Sequence, residues 1–491
     1  MVSAANVAAA TIFLLLTVSF IGLVVGAIEY YASTTPKDRV AAWKFLEYYA
    51  FTTLILAGPA VFLRKRTVTS ILEGFIVVSI SWLLIPLLSA FSYMYTVHLD
   101  FVDAYFESLS GFSGTGLTMF SKPQTLPHVV LLWRAVTQWI GELGVVVFAG
   151  TLLPTLHRVI RSVYIVERGE RIAPTIISTM RRLLGIYAVY TAIGTIMFML
   201  SGMNFFDALT HSMTAIATGG MSTQSLSIGY WFRGHNWAIY ASTIVIMILG
   251  AFNFADHDLL FRGKIKQFFT SLETKWLFIF LAIFTAPLAL YAYLTHSLTT
   301  CFPRWFYHLV SGYTTTGFQL GSSTLLYKDP PFVKMILILS MIVGGATFST
   351  AGGIKIKRAV IILKSITWSS AKIFAPSTMV LRLRVGREHL DERDVLPVYS
   401  FVLTYILTLI IISVAIQACL NLEGIHQFNY IDSLFETASA LSCVGLSVGI
   451  TSISAPLAVK ILLMIAMYLG RLEFAPIYLL LGYGYLSKVF L

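Results

Sequence analysis

Charge is scarce in this chain. Only 12% of its 491 residues are Asp, Glu, Lys or Arg, about half the share of an ordinary soluble domain. Hydrophobic residues make up 57%, gathered in long blocks, and the mean hydropathy is +0.80. That combination excludes a soluble globular fold and excludes disorder. Cysteine is nearly missing: Cys301, Cys419 and Cys443 give no disulfide framework and no spaced metal site. Nucleotide fingerprints are absent too, since the GGIKIK run lacks the Lys-Ser/Thr ending of a phosphate loop. No basic stretch precedes the first apolar run, which therefore reads as a transmembrane helix and not as a cleaved signal.

What is present is an all-α polytopic membrane protein. About 20 apolar residues cross a hydrocarbon core of ~30 Å. Ten candidate spans follow, at roughly 6–30, 42–63, 68–95, 128–155, 183–203, 234–260, 275–295, 332–368, 396–420 and 456–487. The net charge of +11 is a matter of topology and not of nucleic acid. Of 34 Lys and Arg, 23 fall in Arg64 to Arg66, Arg158 to Arg182, Arg262 to Lys275, Lys355 to Arg393 and Lys488. Alternating the spans from a cytoplasmic N-terminus puts all of these inside, as the positive-inside rule requires, and leaves both termini cytoplasmic.

The external connections 96–127, 204–233, 296–331 and 421–455 are long, and each holds an apolar stretch of about a dozen residues, too short to span. Aligned on Gly116, Gly220, Gly317 and Gly445, they read SLSGFSGTGLTMF, HSMTAIATGGMST, HLVSGYTTTGFQL and TASALSCVGLSVG. Six residues earlier stands a hydroxyl each time (Ser110, Thr214, Ser311, Ser439). Nine earlier come Glu107, His211, His308 and Glu436, and thirteen earlier Asp103, Asp207, Arg304 and Asp432. One Gly-rich external turn would be ordinary; four in register between paired spans are a repeat. The chain divides into two leading helices (1–66) and four helix–pore loop–helix repeats at 67–156, 157–270, 271–393 and 394–491.

In three of the four repeats an Asp stands where it suits an N-cap of a short re-entrant helix. The helix then ends in backbone that glycine leaves free to run extended. Four such stretches around one axis form rings of carbonyl oxygens that replace the water shell of a cation. The candidate ion-lining residues are Ser113, Gly114, Thr115 and Gly116; Ala217, Thr218, Gly219 and Gly220; Thr314, Thr315, Thr316 and Gly317; and Ser442, Cys443, Val444 and Gly445. Glu107 and Glu436 are of a type that serves as general acid or ion ligand, but their register reads as pore-helix positions; His211 and His308, at the same register, read as bracing of the filter and not as metal ligands.

Two more features lie within spans. The span 332–368 is interrupted by GGATFSTAGG, whose glycines each weaken a helix by about 1 kcal/mol. A loop at membrane depth there, including Gly344, Gly345, Ser349, Thr350, Gly352 and Gly353, is tolerated beside a water-filled pore; the simpler alternative is a kinked helix packed through its small residues. Arg471 is an intramembrane charge, which calls for a buried partner. Of Glu473 and Glu142, the first stands two residues away on another helix face, so Glu142 is the expected acceptor.

TAIATGGMST, SGYTTTGF, GGATFSTAGGIKIKR and the single Arg471 resemble the Trk/Ktr/HKT superfamily of potassium transporters. Within it the chain is most similar to the TrkH-type membrane subunit, over about residues 65 to 491. The resemblance implies potassium as the transported ion and one filter glycine per repeat. Gly116 stands where plant relatives that carry sodium have Ser, while Ser113-Gly114-Thr115 departs from the usual Thr-rich pattern. The resemblance also implies that the 344–353 segment is a gate below the filter, with Arg471 near the pore. It implies a homodimer in the cell inner membrane and a cytosolic ring of nucleotide-binding (TrkA-type) subunits, for which the basic loops offer a docking surface.

The alternatives differ in kind. A KtrB-type sodium-dependent transporter shares the motifs. A sodium-coupled solute carrier would show inverted or paired repeats. A rhomboid-like serine protease would use Ser113 of GFSG and needs a nearby His base, which the spans do not offer; the chain is not expected to be an enzyme.

Overall fold

The computed structural model describes residues 2–144, 175–376, 379, 381–479 and 481–482. The latter parts of the spans expected at 128–155 and 456–487, the basic stretch Arg158 to Arg171, and Lys488 lie outside these residues. The described chain is helical except for its connections and one small antiparallel hairpin, Leu383–Val385 with Glu388–Leu390. Six of its helices are long and apolar enough to cross a membrane, or seven if the bent pair Trp237–Ala251 and Phe254–Phe261 is one span.

Two leading helices, Ala4–Ala32 and Pro36–Leu63, form an antiparallel pair. Gly22 makes the close approach possible, because a Cβ there would lie 2.6 Å from the Tyr49 ring. Small residues at such a contact let helix backbones meet within lipid. Tyr49 and Phe45 then pack on Trp133, with ring centroids 5.1 and 5.5 Å away, which seats the pair against the first unit.

Four units follow, each an outer helix, a short pore helix and an inner helix. The outer helices are Ile71–Val97, Ile176–Leu200, Leu272–Leu294 and Glu392–Leu422. The pore helices Phe101–Phe112, Phe205–Ile216, Phe302–Tyr313 and Tyr430–Leu441 have 12 residues each. At 1.5 Å per residue they are ~18 Å long and reach only part-way through a bilayer. Their ends are chemically set. Asn204 and Asn429 cap the second and fourth, each accepting from the amide of the Asp three residues on. Asp103, Asp207 and Asp432 are therefore not the N-caps expected of them but sit one turn inside, where a carboxylate still favours the positive helix end.

The inner helices begin after Pro127, Asn236, Pro330 and Pro456. In each, the fourteenth residue after that cap is glycine: Gly141, Gly250, Gly344 and Gly470. At Gly141, Gly250 and Gly470 a Cβ would collide with the final turn of the unit's own pore helix, at the carbonyls of Phe112, Ile216 and Leu441. All four inner helices end within two residues of this glycine, at Leu143, Ala251, Val343 and Arg471. The break expected within 332–368 is present, and the expected spans 234–260 and 456–487 are broken too and not continuous. The second unit bends by 108° before Phe254–Phe261, and the third resumes only at Ile356–Phe374. The glycine that admits the pore helix also weakens the inner helix.

Contacts between successive units close the ring. Lys334 of the third inner helix pairs with Asp432 of the fourth pore helix at 2.6 Å, and Lys460 of the fourth pairs with Asp103 of the first at 2.5 Å. Tyr240 donates to the Pro303 carbonyl at 2.9 Å, from the second unit to the third. His128 stacks on Phe206 at 4.4 Å, from the first to the second. Buried ion pairs add little net stability but penalise misassembly, since one partner left alone is costly.

Candidate functional site

The four glycine-aligned stretches meet at the centre of this ring. Each pore helix ends at a C-cap three residues before its glycine: Ser113, Ala217, Thr314 and Ser442. The next residues, Gly114, Thr218, Thr315 and Cys443, have φ of 70°, 48°, 56° and 54°. The glycines Gly116, Gly220, Gly317 and Gly445 have φ of 83°, 71°, 85° and 93°. Left-handed backbone thus returns at every second residue in all four stretches, a geometry costly for residues bearing a Cβ.

The amides of these stretches are tied back to the pore helices. In the first three units the carbonyl six residues before the glycine (Ser110, Thr214, Ser311) accepts from the glycine amide and from the amide before it. In the fourth, the Ser439 carbonyl takes the Val444 amide and its hydroxyl takes the Gly445 amide at 3.0 Å. With the N–H groups committed outward, the carbonyls face one another. A Cβ on Gly116 would collide with the carbonyl oxygen of Gly219, one on Gly220 with that of Thr316, one on Gly317 with that of Val444, and one on Gly445 with that of Thr115. Each unit's glycine lies beneath the next unit's carbonyl, and the fourth returns to the first. The four oxygens thus form a closed circuit in which each lies against the glycine of a neighbouring unit.

The residues nine before each glycine hold the strand that leaves the ring. Glu107 accepts from the Met119 amide at 2.8 Å and the Thr118 hydroxyl at 2.9 Å, and pairs with Arg134 at 2.7 Å. His211 donates from Nδ1 to the Asp207 carbonyl, so its Nε2 accepts from Ser222 at 2.8 Å. His308 Nε2 accepts from the Leu320 amide at 3.0 Å. Glu436 accepts from Ser447 at 2.8 Å and from the amides of Val448 and Thr451 at 3.0 Å. Two carboxylates and two imidazoles do one mechanical task. Among the described residues Ser113 has no base: its hydroxyl contacts Thr115 Oγ1 at 2.8 Å and the Ser110 carbonyl at 3.4 Å, and neither can activate a nucleophile.

Directly below lies the break in the third inner helix. Gly352 donates its amide to Thr315 Oγ1 at 2.8 Å, and Thr350 Oγ1 donates to the Ile216 and Gly250 carbonyls at 3.0 and 2.9 Å. A Cβ on Gly352 would collide with the Ser442 carbonyl. The 344–355 loop thus touches the second, third and fourth stretches where their pore helices end. Ser349 turns its hydroxyl back to the Ala346 carbonyl. Gly345 packs against Ala351 and Ala251, and Gly353 against Gly344. Glu273, at the start of the third outer helix, holds the loop by accepting from the Thr347 amide and hydroxyl at 2.7 Å each. The same carboxylate accepts from Asn253 at 2.7 Å, where the second inner helix is broken.

The fourth quarter of this base is Arg471 and Glu142, paired at 2.7 Å, with a second guanidinium nitrogen donating to the Gly141 carbonyl at 2.5 Å. The Glu142 carboxylate in turn abuts Gly114. Glu473 instead pairs with Arg358 of the helix after the loop. A cavity of about 760 Å³ opens here, lined by Gly352, Lys355, Arg358, Cys443, Arg471 and Glu142 among others.

The model of the cation transport protein family TrkH matches residues 44–482 of this chain. The chain belongs to that family. Among relatives of the TrkH family, an uncharacterized cation transporter of Methanocaldococcus jannaschii is 31% identical over 84% of this chain and 82% of its own. The Trk system potassium uptake proteins TrkH of Halomonas elongata and Escherichia coli (strain K12) are each 30% identical, over 82% of this chain and 83% of theirs. The crystal structure of the potassium transporter TrkH from Vibrio parahaemolyticus superposes with a TM-score of 0.82 at 25% identity, covering 98% of both chains. As a TrkH-family member the chain is a helical membrane transport protein and not an enzyme.

Several residues of this TrkH-family site escape a search centred on the loop glycines. Gln138 and Arg134 reach the second stretch from the first inner helix, Glu273 holds the loop, and Gly141, Gly250 and Gly470 admit the pore helices. The constant offset of the last three from the inner-helix caps was a usable signal; nothing local marks Glu273.

Proposed function

We propose that this protein takes up potassium across the cell inner membrane through the four-carbonyl ring. The ring would be the selectivity filter, formed by the sixteen residues ending at Gly116, Gly220, Gly317 and Gly445, one stretch from each repeat (67–156, 157–270, 271–393, 394–491). The observation that carries this reading is the closed circuit in which each glycine leaves room for its neighbour's carbonyl. Carbonyls arranged so replace a hydration shell without a fixed charge, and suit a monovalent cation. The relatives named as potassium uptake proteins point to potassium.

The loop holding Gly344, Gly345, Ser349, Thr350, Gly352 and Gly353 is the gate in this reading, with Arg471 beside it as a positive barrier to a cation leaving the ring. Opening requires the loop to leave Thr315, Ile216 and Ser442. A cytosolic TrkA-type ring of nucleotide-binding subunits docked on the basic loops would supply that force, and the transporter works as a homodimer with both termini cytoplasmic.

Growth of a potassium-uptake-deficient bacterium at low potassium tests the function. Rescue is expected from the chain co-expressed with a Trk-type ring subunit, and rescue is lost, or becomes sodium-permeable, with Gly116→Ser. No rescue by the unaltered chain under those conditions would overturn the uptake reading.

A further inference from the structure

The inner helices repeat a second pattern besides their glycine. Eleven residues after the cap stand Met247, Met341 and Met467, each fully buried. The first inner helix has Gln138 at this place, equally buried. A buried amide is unfavourable unless its donors and acceptor are met. Gln138 meets them on the second filter stretch: Nε2 donates to the Gly219 carbonyl at 2.6 Å, and Oε1 accepts from the Met221 amide at 3.0 Å. The side chain thus bridges the two peptides that flank Gly220.

Gly219 is exceptional in the same sense. The other stretches carry Thr115, Thr316 and Val444 at this position, and a Cβ on Gly219 would lie 2.4 Å from the Gln138 amide carbon. The two departures from fourfold repetition fit each other: the side chain is missing where the amide enters. Arg134, one helical turn earlier on the same face, donates to the Ser222 carbonyl at 2.8 Å and extends the hold along the strand. The other three inner helices carry a buried methionine at the matching position, and a thioether has no donor to offer.

We infer that Gln138 is a specificity-determining positioning residue: it fixes the Gly219 carbonyl at one side of the ring, so that the ring does not contract around an ion smaller than potassium. The inference rests on the reading of that ring as the cation filter. A carbonyl anchored by a short amide hydrogen bond keeps its distance from the axis. With methionine in place of Gln138 the second strand has no such anchor, and the oxygen can follow a sodium ion inward.

The test uses the purified full chain in proteoliposomes and compares it with Gln138→Met and Gln138→Asn. Gln138→Met restores the methionine pattern at similar volume, and Gln138→Asn shortens the amide so that it no longer spans both peptides. The readout is the sodium concentration that halves rubidium-86 uptake, alongside maximal uptake and the thermal midpoint. A drop in that concentration of about three- to tenfold is expected in both variants, the span one hydrogen bond covers, at a preserved thermal midpoint. Unchanged sodium inhibition in a folded variant, even with lower maximal uptake, would reduce Gln138 to a packing role and overturn the inference. If Gln138→Met fails to fold, Gln138→Asn decides alone. Absence of rubidium uptake by the unaltered chain would instead be the failure of the filter reading itself.

Discussion

The outer and inner halves of the four units obey different rules. In the outer half the four pore helices have equal length, their C-caps fall at one register, and left-handed φ recurs at the same two positions in all four. In the inner half, within two residues of the shared glycine, every unit differs. The second bends, the third forms a loop, and the first and fourth supply Glu142 and Arg471. In the proposed reading the outer half surrounds one spherical ion and gains from repetition, because each oxygen then sees the ion alike. A barrier that opens needs only one part with two positions, and repeating it four times would add cost without function.

Breaking the symmetric half should have the largest effect. Alanine at Gly116, Gly220, Gly317 or Gly445 places a Cβ against a neighbour's carbonyl and strains a left-handed residue. Each of the four variants is expected to lose rubidium-86 uptake by at least about tenfold, since the φ cost alone is ~1–2 kcal/mol and the clash adds to it. Tolerance at one position with loss at the other three would mean the ring is not shared equally.

The asymmetric half should respond in the opposite direction. Arg471→Met alone removes the guanidinium paired with the buried Glu142 carboxylate, an expected loss of about 3–5 kcal/mol seen in the unfolding midpoint. Arg471→Met with Glu142→Met should recover most of that stability and raise the basal uptake above the unaltered chain. Uptake that stays unchanged in the stable double variant would remove Arg471 from the barrier.

Glu273→Gln is a milder probe of the same half. Its carboxylate holds Thr347 and Asn253, and charged acceptors contribute about 1.5–3 kcal/mol. Uptake should increase while sodium inhibition stays the same, because the ring above is untouched. A shift in ion preference would instead tie the loop to selectivity.

The smallest effect is expected at the braces. Glu436→Gln keeps an acceptor for the departing strand but loses part of the set from Ser447, Val448 and Thr451. A stability loss of about 1 kcal/mol with unaltered ion preference is the predicted result, measured by thermal unfolding and competitive uptake.

The same division explains what the sequence made legible. The ring residues were visible because fourfold repetition writes each constraint four times: Gly116 alone means little, while Gly116, Gly220, Gly317 and Gly445 at matching offsets are a pattern. The Arg471–Glu142 pair was reachable from the scarcity of charge in the spans, since an intramembrane Arg has few partners to choose from. The breaks in the second and fourth inner helices were not anticipated, because Gly250 and Gly470 stand in apolar runs whose hydropathy continues past them. The caps were expected one turn too far along the chain, at the Asp residues, since Asn204 and Asn429 perform the capping. Glu273 and Gln138 were silent for a related reason. Each acts on a backbone far away in sequence, at Thr347 and at Gly219, and no local spacing encodes such a contact.

The most direct measurement is the location of a heavy potassium substitute in the protein itself, by anomalous diffraction from crystals grown in rubidium or thallium. A peak on the pseudo-fourfold axis, enclosed by the carbonyls of Thr115, Gly219, Thr316 and Val444, is the predicted result. An axis without density at that level, with the ion bound only among the side chains of the lower cavity, would contradict a carbonyl filter in this protein.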